Sequence, residues 1–540
     1  MSVRDASPAR VPCRQVTPRL ICLLALFAAI GAGSAPPGGV PGANAQLAGA
    51  PGVVSLAPST RKLTADTVAR RLGFVNNEPD GVQQWYLTQD NAWTYWPAPP
   101  VLPTVKVAVI DTGIDASHPE FVGRIAAGRS FVSSSWRTDT CGHGTFVAGE
   151  IAANPFNGVG IAGLAFNARL LVAKVVQSDC NVSTSAEIHA IRWAADEGAR
   201  VINLSLGGNR DPQDPAIDEY SPQEEAAIEY AVSKGVLVVA ASGNGPEAPR
   251  TPWLYADYPA ALPHVLGVAA VRQGGAVPDY SNRDKTFVDI AAPGGPIFST
   301  IPRNMIDRSL PGCAGMGYSN CGPFEFRGGL GTSFAAPQVS AAAALLLGVD
   351  PKLRPDQVEW LLERSATDAA AATGCPACPA GRDSLTGWGD LNVAAALRLL
   401  GNGHHLPAPD AYEPNDNANT PGASAHPFGK PRTITATLDF WDDPIDVYSI
   451  KLTQGSKVFA RLSAATEAGT TLVLWRPGTT DVTASPRSLL ADLATRAAAL
   501  SGQQRLGYEV PATGTYYLEA KLAAPNHMPD RYQLSVAVTS

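Results

Sequence analysis

From Val105 onward the chain alternates short apolar runs with longer amphipathic ones. VKVAVI (105–110), ARLLVAKVV (168–176), ARVINLSL (199–206), GVLVVAAS (235–242) and HVLGVAAV (264–271) are almost continuously apolar. Between them GTFVAGEIAA (144–153), SAEIHAIRWAADEG (185–198) and PQEEAAIEYAVSKG (222–235) carry helical spacing, and further helices are expected at about 332–348 and 355–366. Strands buried on both faces read this way, so the pattern predicts an α/β fold with a parallel sheet between helical layers. After Leu400 the texture changes. Residues 401–422 are rich in Pro, Asn and Asp and read as a linker or calcium-type loop. Beyond them TITATLDF, DVYSIKL, KVFARLS, TTLVLW, TYYLEAKL and YQLSVAV alternate with a period of two, which predicts a small all-β sandwich over 423–540.

The N-terminus adds a leader. Arg4, Arg10, Arg14 and Arg19 precede the apolar run Leu20 to Gly33, which is short for a membrane span and fits a signal peptide ending by residue 45. No later run is long and apolar enough to predict a membrane span. Residues 46–75 are read as a short pro-segment or flexible linker. With 540 residues, 45% hydrophobic and 16% charged, the chain is long enough for more than one domain and has ample material for a core. The net charge is −7, and cleavage of the leader, with four Arg and Asp5, makes the remainder more negative. Nothing here predicts a nucleic-acid face.

Export changes the reading of the cysteines. Of the eight, Cys13 and Cys22 leave with the leader. Cys141, Cys180, Cys313, Cys321, Cys375 and Cys378 remain, an even number in an oxidising compartment, which points to disulfides. The spacing leaves the connectivity open; 141–180, 313–321 and 375–378 is the simplest set.

In open parallel sheets, ligands gather beyond the carboxyl ends of the strands. Asp111 follows the first apolar run and Gly243-Asn244 follow the fourth, while His143 and Ser333 stand at predicted helix starts. Taken singly these are ordinary turn or cap residues. Together they suit acyl transfer. A serine hydroxyl needs an adjacent base, and histidine takes and returns a proton near neutrality. A carboxylate fixes the imidazole tautomer, and an amide N–H stabilises an oxyanion. Cys141, two residues before His143, leaves Cys-His chemistry or a metal corner as alternatives. The chain has neither HExxH nor GxSxG. His118 in a turn and His189 within a helix are read as structural.

The stretches DTGID (111–115), GHGTFVAG (142–149) and GTSFAAP (331–337), with SLGG (205–208) and SGNGP (242–246) between them, resemble the signature motifs of the subtilisin-like serine proteases. The order Asp, His, Ser also agrees with that family. The resemblance covers about residues 76–400. It implies a subtilisin-like parallel sheet with helices on both faces and a secreted serine endopeptidase acting on polypeptides, with no cofactor for catalysis. Residue by residue, Asp111 resembles the orienting carboxylate, His143 the general base, Ser333 the nucleophile and Asn244 the oxyanion amide. Ser205, Leu206, Gly207 and Gly208 resemble the edge that pairs with substrate. With Ala241, Ser242 and Gly243 they line the pocket for the residue before the scissile bond. The family also implies structural calcium, for which Glu78, Glu120 and Asn157 are the candidate ligands.

The C-terminal part resembles the bacterial pre-peptidase C-terminal domain, on DAYEPNDNANTPG (410–422), DDPIDVYSIKL (442–452) and GTYYLEAKL (514–522). That resemblance implies a module for substrate or surface binding, or for stability, with Glu413, Asp416, Asp442 and Asp446 as further calcium candidates. A monomer is expected. The competing reading is a catalytically silent binding module on a protease fold.

Overall fold

The computed structural model describes residues 73–74, 76–177, 180–245, 251–305, 326–403, 410–419, 424–428, 433–438, 445–464, 470–482, 493–500, 503–522 and 530–539. The expected leader, the pro-segment up to residue 72 and the Cys313–Cys321 pair lie outside the described residues.

A seven-stranded sheet organises the N-terminal region, in the order β2-β3-β1-β4-β5-β6-β7 and parallel throughout. Its strands are β1 (Val105–Asp111), β2 (Ile125–Ser130), β3 (Ala168–Lys174), β4 (Val201–Leu204), β5 (Leu237–Ala241), β6 (Val265–Arg272) and β7 (Ile290–Gly295). The helices are α1 (Trp85–Gln89), α2 (His143–Ala152), α3 (Thr184–Asp196), α4 (Pro222–Ser233), α5 (Ala336–Val349), α6 (Pro355–Ser365) and α7 (Val393–Gly401).

The continuous apolar runs follow from burial on both faces. In β1, Val105, Val107 and Val109 join a core with α2, α5, α6 and α7, while Ala108 and Ile110 join a second core with α3 and α4. Side chains alternate across a strand, so two covered faces require apolar residues at every position. Helix α5 is apolar on every side except at the hydrogen-bonded Gln338 and Ser340, because it runs through the first core: the stretch Thr332–Val349 is 94% buried.

The structure corrects one local expectation. Ser333 does not open the long helix but lies in a separate 3-10 turn, Thr332–Phe334, and α5 begins only at Ala336. Pro337 stands in the first turn of α5, where a missing N–H costs little. Strands β2 and β7 and the hairpin of β8 (Ile297–Thr300) with β9 (Phe326–Gly329) add to what the periodicity showed.

In the C-terminal region the strands are β10 (His426–Pro427), β11 (Thr433–Leu438), β12 (Ile445–Leu452), β13 (Lys457–Ala464), β14 (Thr470–Trp475), β15 (Leu493–Arg496), β16 (Ala498–Leu500), β17 (Gln503–Glu509), β18 (Gly514–Leu522) and β19 (Asp530–Thr539). They form two five-stranded sheets, β10-β12-β18-β14-β15 and β11-β19-β13-β17-β16. Tyr448, Ile450 and Leu518 from one sheet share a core with Val458, Leu462 and Leu534 from the other, so the sheets pack face to face as a sandwich.

Candidate active site

Asp111 ends β1, and His143 is the first residue of α2. The imidazole Nδ1 lies 2.9 Å from Asp111 Oδ1 and 3.0 Å from Oδ2. Asp111 is 2% exposed and His143 6%. Backbone sterics make this approach possible. Gly142 caps α2 at φ 84°, and a Cβ on Gly144 would strike the Gly113 carbonyl and come within 3.1 Å of Asp111 Cβ. The Gly144 N–H then donates to Thr112 Oγ1 at 2.7 Å, and Thr112 N–H donates to Asp111 Oδ1 at 2.7 Å.

The turn before α2 is built around Asp139, which the motifs do not include. Its Oδ1 accepts from the backbone N–H groups of Cys141 and Gly142 at 3.1 and 2.7 Å. Its Oδ2 accepts from Thr145 N–H and Oγ1–H at 2.9 and 2.7 Å. Burial pushes the Asp139 carboxyl up, against these hydrogen bonds. An Asp six residues before a helical Thr was the available sequence signal. Cys141 Sγ is bonded to Cys180 Sγ at 2.09 Å, so the sulfur beside His143 is no thiolate. Cys375 and Cys378 are bonded as well.

Ser333 is half-buried in its turn. The next residue, Phe334, sets its ring 5.4 Å from the His143 ring and 4.3 Å from Phe146. This packing brings the serine turn to the histidine. A buried polar chain holds the turn from below: Ser340 Oγ donates to Asn203 Oδ1 at 2.9 Å, Asn203 Nδ2 to Ser205 Oγ at 2.9 Å, and Ser205 Oγ to the Ser333 carbonyl at 2.7 Å. Asn244, just beyond β5, is held at Oδ1 by the Thr332 N–H at 3.0 Å and by Thr332 Oγ1 at 3.2 Å.

The other candidate substrate residues flank this turn. Leu206 is buried beyond β4 and Ala241 at the end of β5. Gly208 exchanges two backbone hydrogen bonds with Tyr258, at 2.8 and 2.9 Å. The Ser242 N–H pairs with the Val268 carbonyl at 2.9 Å, and the Gly243 N–H donates to Thr332 Oγ1 at 3.2 Å. Asp111, His143, Ser333, Asn244 and both glycine-bearing segments thus meet at the carboxyl ends of β1, β4 and β5. His118 instead caps a short turn through its Nδ1, which accepts the Glu120 N–H at 3.2 Å. His189 Nδ1 lies 2.6 Å from the Ser185 carbonyl within α3.

The candidate calcium ligands also converge. Glu120 Oε2 accepts from the Asn157 amide at 3.1 Å and Oε1 from the Ile161 N–H at 3.0 Å. Burial pushes the Glu120 carboxyl up to about 8, and the nearby Glu78 carboxylate adds to the shift. Both Glu78 side-chain oxygens are buried with no hydrogen-bond partner among the described residues. Adjacent carboxylates, one of them unsatisfied, beside an amide and a turn fit a hard divalent cation. Among the described residues no group of three or more His, Cys, Asp or Glu gathers as a metal cluster, at this site or elsewhere. In the C-terminal sandwich Asp446 is pushed up to about 8, chiefly by burial, and Glu413 is raised by burial and by Asp416. Asp442 lies outside the described residues.

Residues 103–403 match the subtilase family. The chain is 38% identical over 250 residues to the "Major intracellular serine protease" of Bacillus subtilis (strain 168), which covers 45% of this chain and 68% of that protein. It is 36% identical over 295 residues to Subtilisin DY of Bacillus licheniformis, covering 54% of this chain and 91% of the relative. Identity to Thermitase of Thermoactinomyces vulgaris is 35% over 243 residues, covering 45% and 74%.

Proposed function

We propose, from the premise that this chain belongs to the subtilase family of serine endopeptidases, that Asp111, His143 and Ser333 are its catalytic triad. The chain is a hydrolase, and polypeptides are its substrates. The observation that carries the triad is the buried contact of His143 Nδ1 with both Asp111 oxygens. That contact commits Nδ1 and makes Nε2 the nitrogen that exchanges protons.

In this reading Nε2 takes the Ser333 hydroxyl proton as Oγ bonds to the scissile carbonyl carbon. Asp111 stabilises the resulting imidazolium. The Asn244 Nδ2–H and the Ser333 backbone N–H donate to the oxyanion. His143 passes the proton to the leaving amine as the C–N bond breaks. Water repeats the sequence on the acyl-enzyme and restores the Ser333 hydroxyl. The test is labelling by a fluorophosphonate with the adduct located by mass spectrometry. The adduct is expected on Ser333, together with loss of proteolysis in a folded Ser333→Ala protein. Full proteolysis in that variant would sink the assignment.

The proposal extends to secretion. The basic-then-apolar segment through Gly33 supports an export signal, and the Cys141–Cys180 disulfide supports an oxidising destination. A mature N-terminus beyond Ala45 in culture medium is the expected result. Glu78, Glu120 and Asn157 would hold a structural calcium ion, which would satisfy the buried carboxylates. Residues 423–540 are proposed to act as an appended module similar to the pre-peptidase C-terminal domain, on a monomeric enzyme.

A further inference from the structure

We infer that this site selects a basic residue, arginine or lysine, immediately before the scissile bond, through Asp257 together with Asn282. The inference rests on the proteolytic reading above and names its substrate class.

With the scissile carbonyl between Ser333 Oγ and the Asn244 amide, the side chain of that residue must enter the space beside the Ser333 turn. Two backbone segments wall that space. Residues 205–208 are tied to the turn by Ser205 Oγ on the Ser333 carbonyl, at 2.7 Å. Residues 242–244 are tied to it by the Gly243 N–H on Thr332 Oγ1, at 3.2 Å. Gly207 and Gly243 contribute no side chain to the walls.

Asp257 bridges the two walls. Its N–H donates to the Ser242 carbonyl at 2.9 Å, and the next residue, Tyr258, pairs twice with Gly208. A Cβ on Gly243 would land on Asp257 Oδ2 and against Asn282 Nδ2, and a Cβ on Gly207 would come within 3.4 Å of Asp257 Cβ. The carboxylate and the amide therefore occupy the floor that the two glycines open. Asp257 is 6% exposed and Asn282 0%. Neither amide atom of Asn282 has a hydrogen-bond partner among the described residues. Glu219 adds a second carboxylate against Gly208. Arg210, the cation of the adjoining loop, is committed to Asp284 at 2.8 Å and lies over the Phe287 ring at 4.7 Å.

A guanidinium or ammonium group entering here donates a charge-assisted hydrogen bond to the Asp257 carboxylate, which the buried Asn282 amide backs from behind. An apolar side chain donates no such bond and strips water from a carboxylate. The site is therefore built to reject the aromatic and aliphatic residues that a bare apolar pocket would take.

The test uses the full mature protein and four fluorogenic peptides that differ only in the residue before the scissile bond: Arg, Lys, Phe and Leu. Fluorophosphonate labelling is measured in parallel. Arg and Lys peptides are expected to exceed Phe and Leu in kcat/KM by at least about tenfold. Asp257→Ser should collapse that ratio, with Asn282→Ala reducing it less. Benzamidine, an arginine-like probe, should inhibit the wild-type protein competitively at millimolar concentration, which keeps the test decisive if Asp257→Ser fails to fold. A labelled wild-type enzyme that prefers Phe or Leu and ignores benzamidine would overturn the inference while leaving the triad standing. Absence of labelling on folded protein would overturn the proteolytic reading and this inference with it.

Discussion

The Thr332 N–H and hydroxyl both reach Asn244 Oδ1, at 3.0 and 3.2 Å, so the oxygen end of that amide is committed to the serine turn. Nδ2 is then the end left to donate into the cleft, and an amide fixed before substrate arrives costs no reorganisation during reaction. Asn244→Ala should lower kcat by about 10²–10³ with little change in KM, as measured by steady-state peptide hydrolysis. Equal losses in binding and turnover would argue against an oxyanion role.

Asp111→Asn keeps the shape of the buried contact with His143 but supplies an amide in place of a carboxylate. The wrong imidazole tautomer is then favoured, and kcat should fall by about 10⁴. Circular dichroism and thermal melting should show the fold unchanged. A variant retaining a tenth of wild-type turnover would contradict the assignment.

The Cys141–Cys180 bridge closes a loop of sequence separation 39 beside the turn that carries His143. Loop-closure entropy at that length places its contribution at about 2–4 kcal/mol. The double variant Cys141→Ser with Cys180→Ser should melt roughly 3–6 °C lower in a thermal scan. Titratable thiol at Cys141 in the native protein would remove the basis for this expectation.

Asp390 gives the fold a defined pH dependence. Its carboxyl is pushed up to about 7, first by burial and then by the neighbouring Asp383. Its Oδ1 has no hydrogen-bond partner among the described residues. The unfolded chain ionises this group near about 4, so between about pH 4 and 7 the folded state holds the extra proton. Stability should therefore fall as pH rises through that window, by at most about 1.4 kcal/mol per pH unit from this group. Urea unfolding of Asp390→Asn should show a shallower slope there and a gain over wild type above pH 7. Identical pH curves for the two proteins would refute it.

Chelation tests the Glu78, Glu120 and Asn157 site. EDTA should lower the melting temperature, and calcium should restore it. The effect would be about 2.7 kcal/mol at a hundredfold excess over Kd. Glu120→Gln should abolish the response. An unchanged calcium response in that variant would place the ion elsewhere.

The sequence by itself determined the layering. Apolar runs with no polar face demand helices on both sides of a parallel sheet, and β1, with Val107 in one core and Ala108 in the other, does this. It also singled out Asp111, His143, Asn244 and Ser333, which stand in short glycine-rich stretches that the fold brings to one end of the sheet. Element edges were softer: Ser333 belongs to its own turn because Pro337 delays the helix. Tertiary structure alone decided what depends on distant partners. Asp139 reads as a loop acid until its carboxylate is seen gathering four donors under His143. Ser205 reaches the Ser333 carbonyl across 128 residues. Asp257 becomes part of the cleft only when the bare face of Gly243 packs on its carboxylate. A buried polar group needs partners wherever the fold brings them, and that demand leaves no period in the sequence to read.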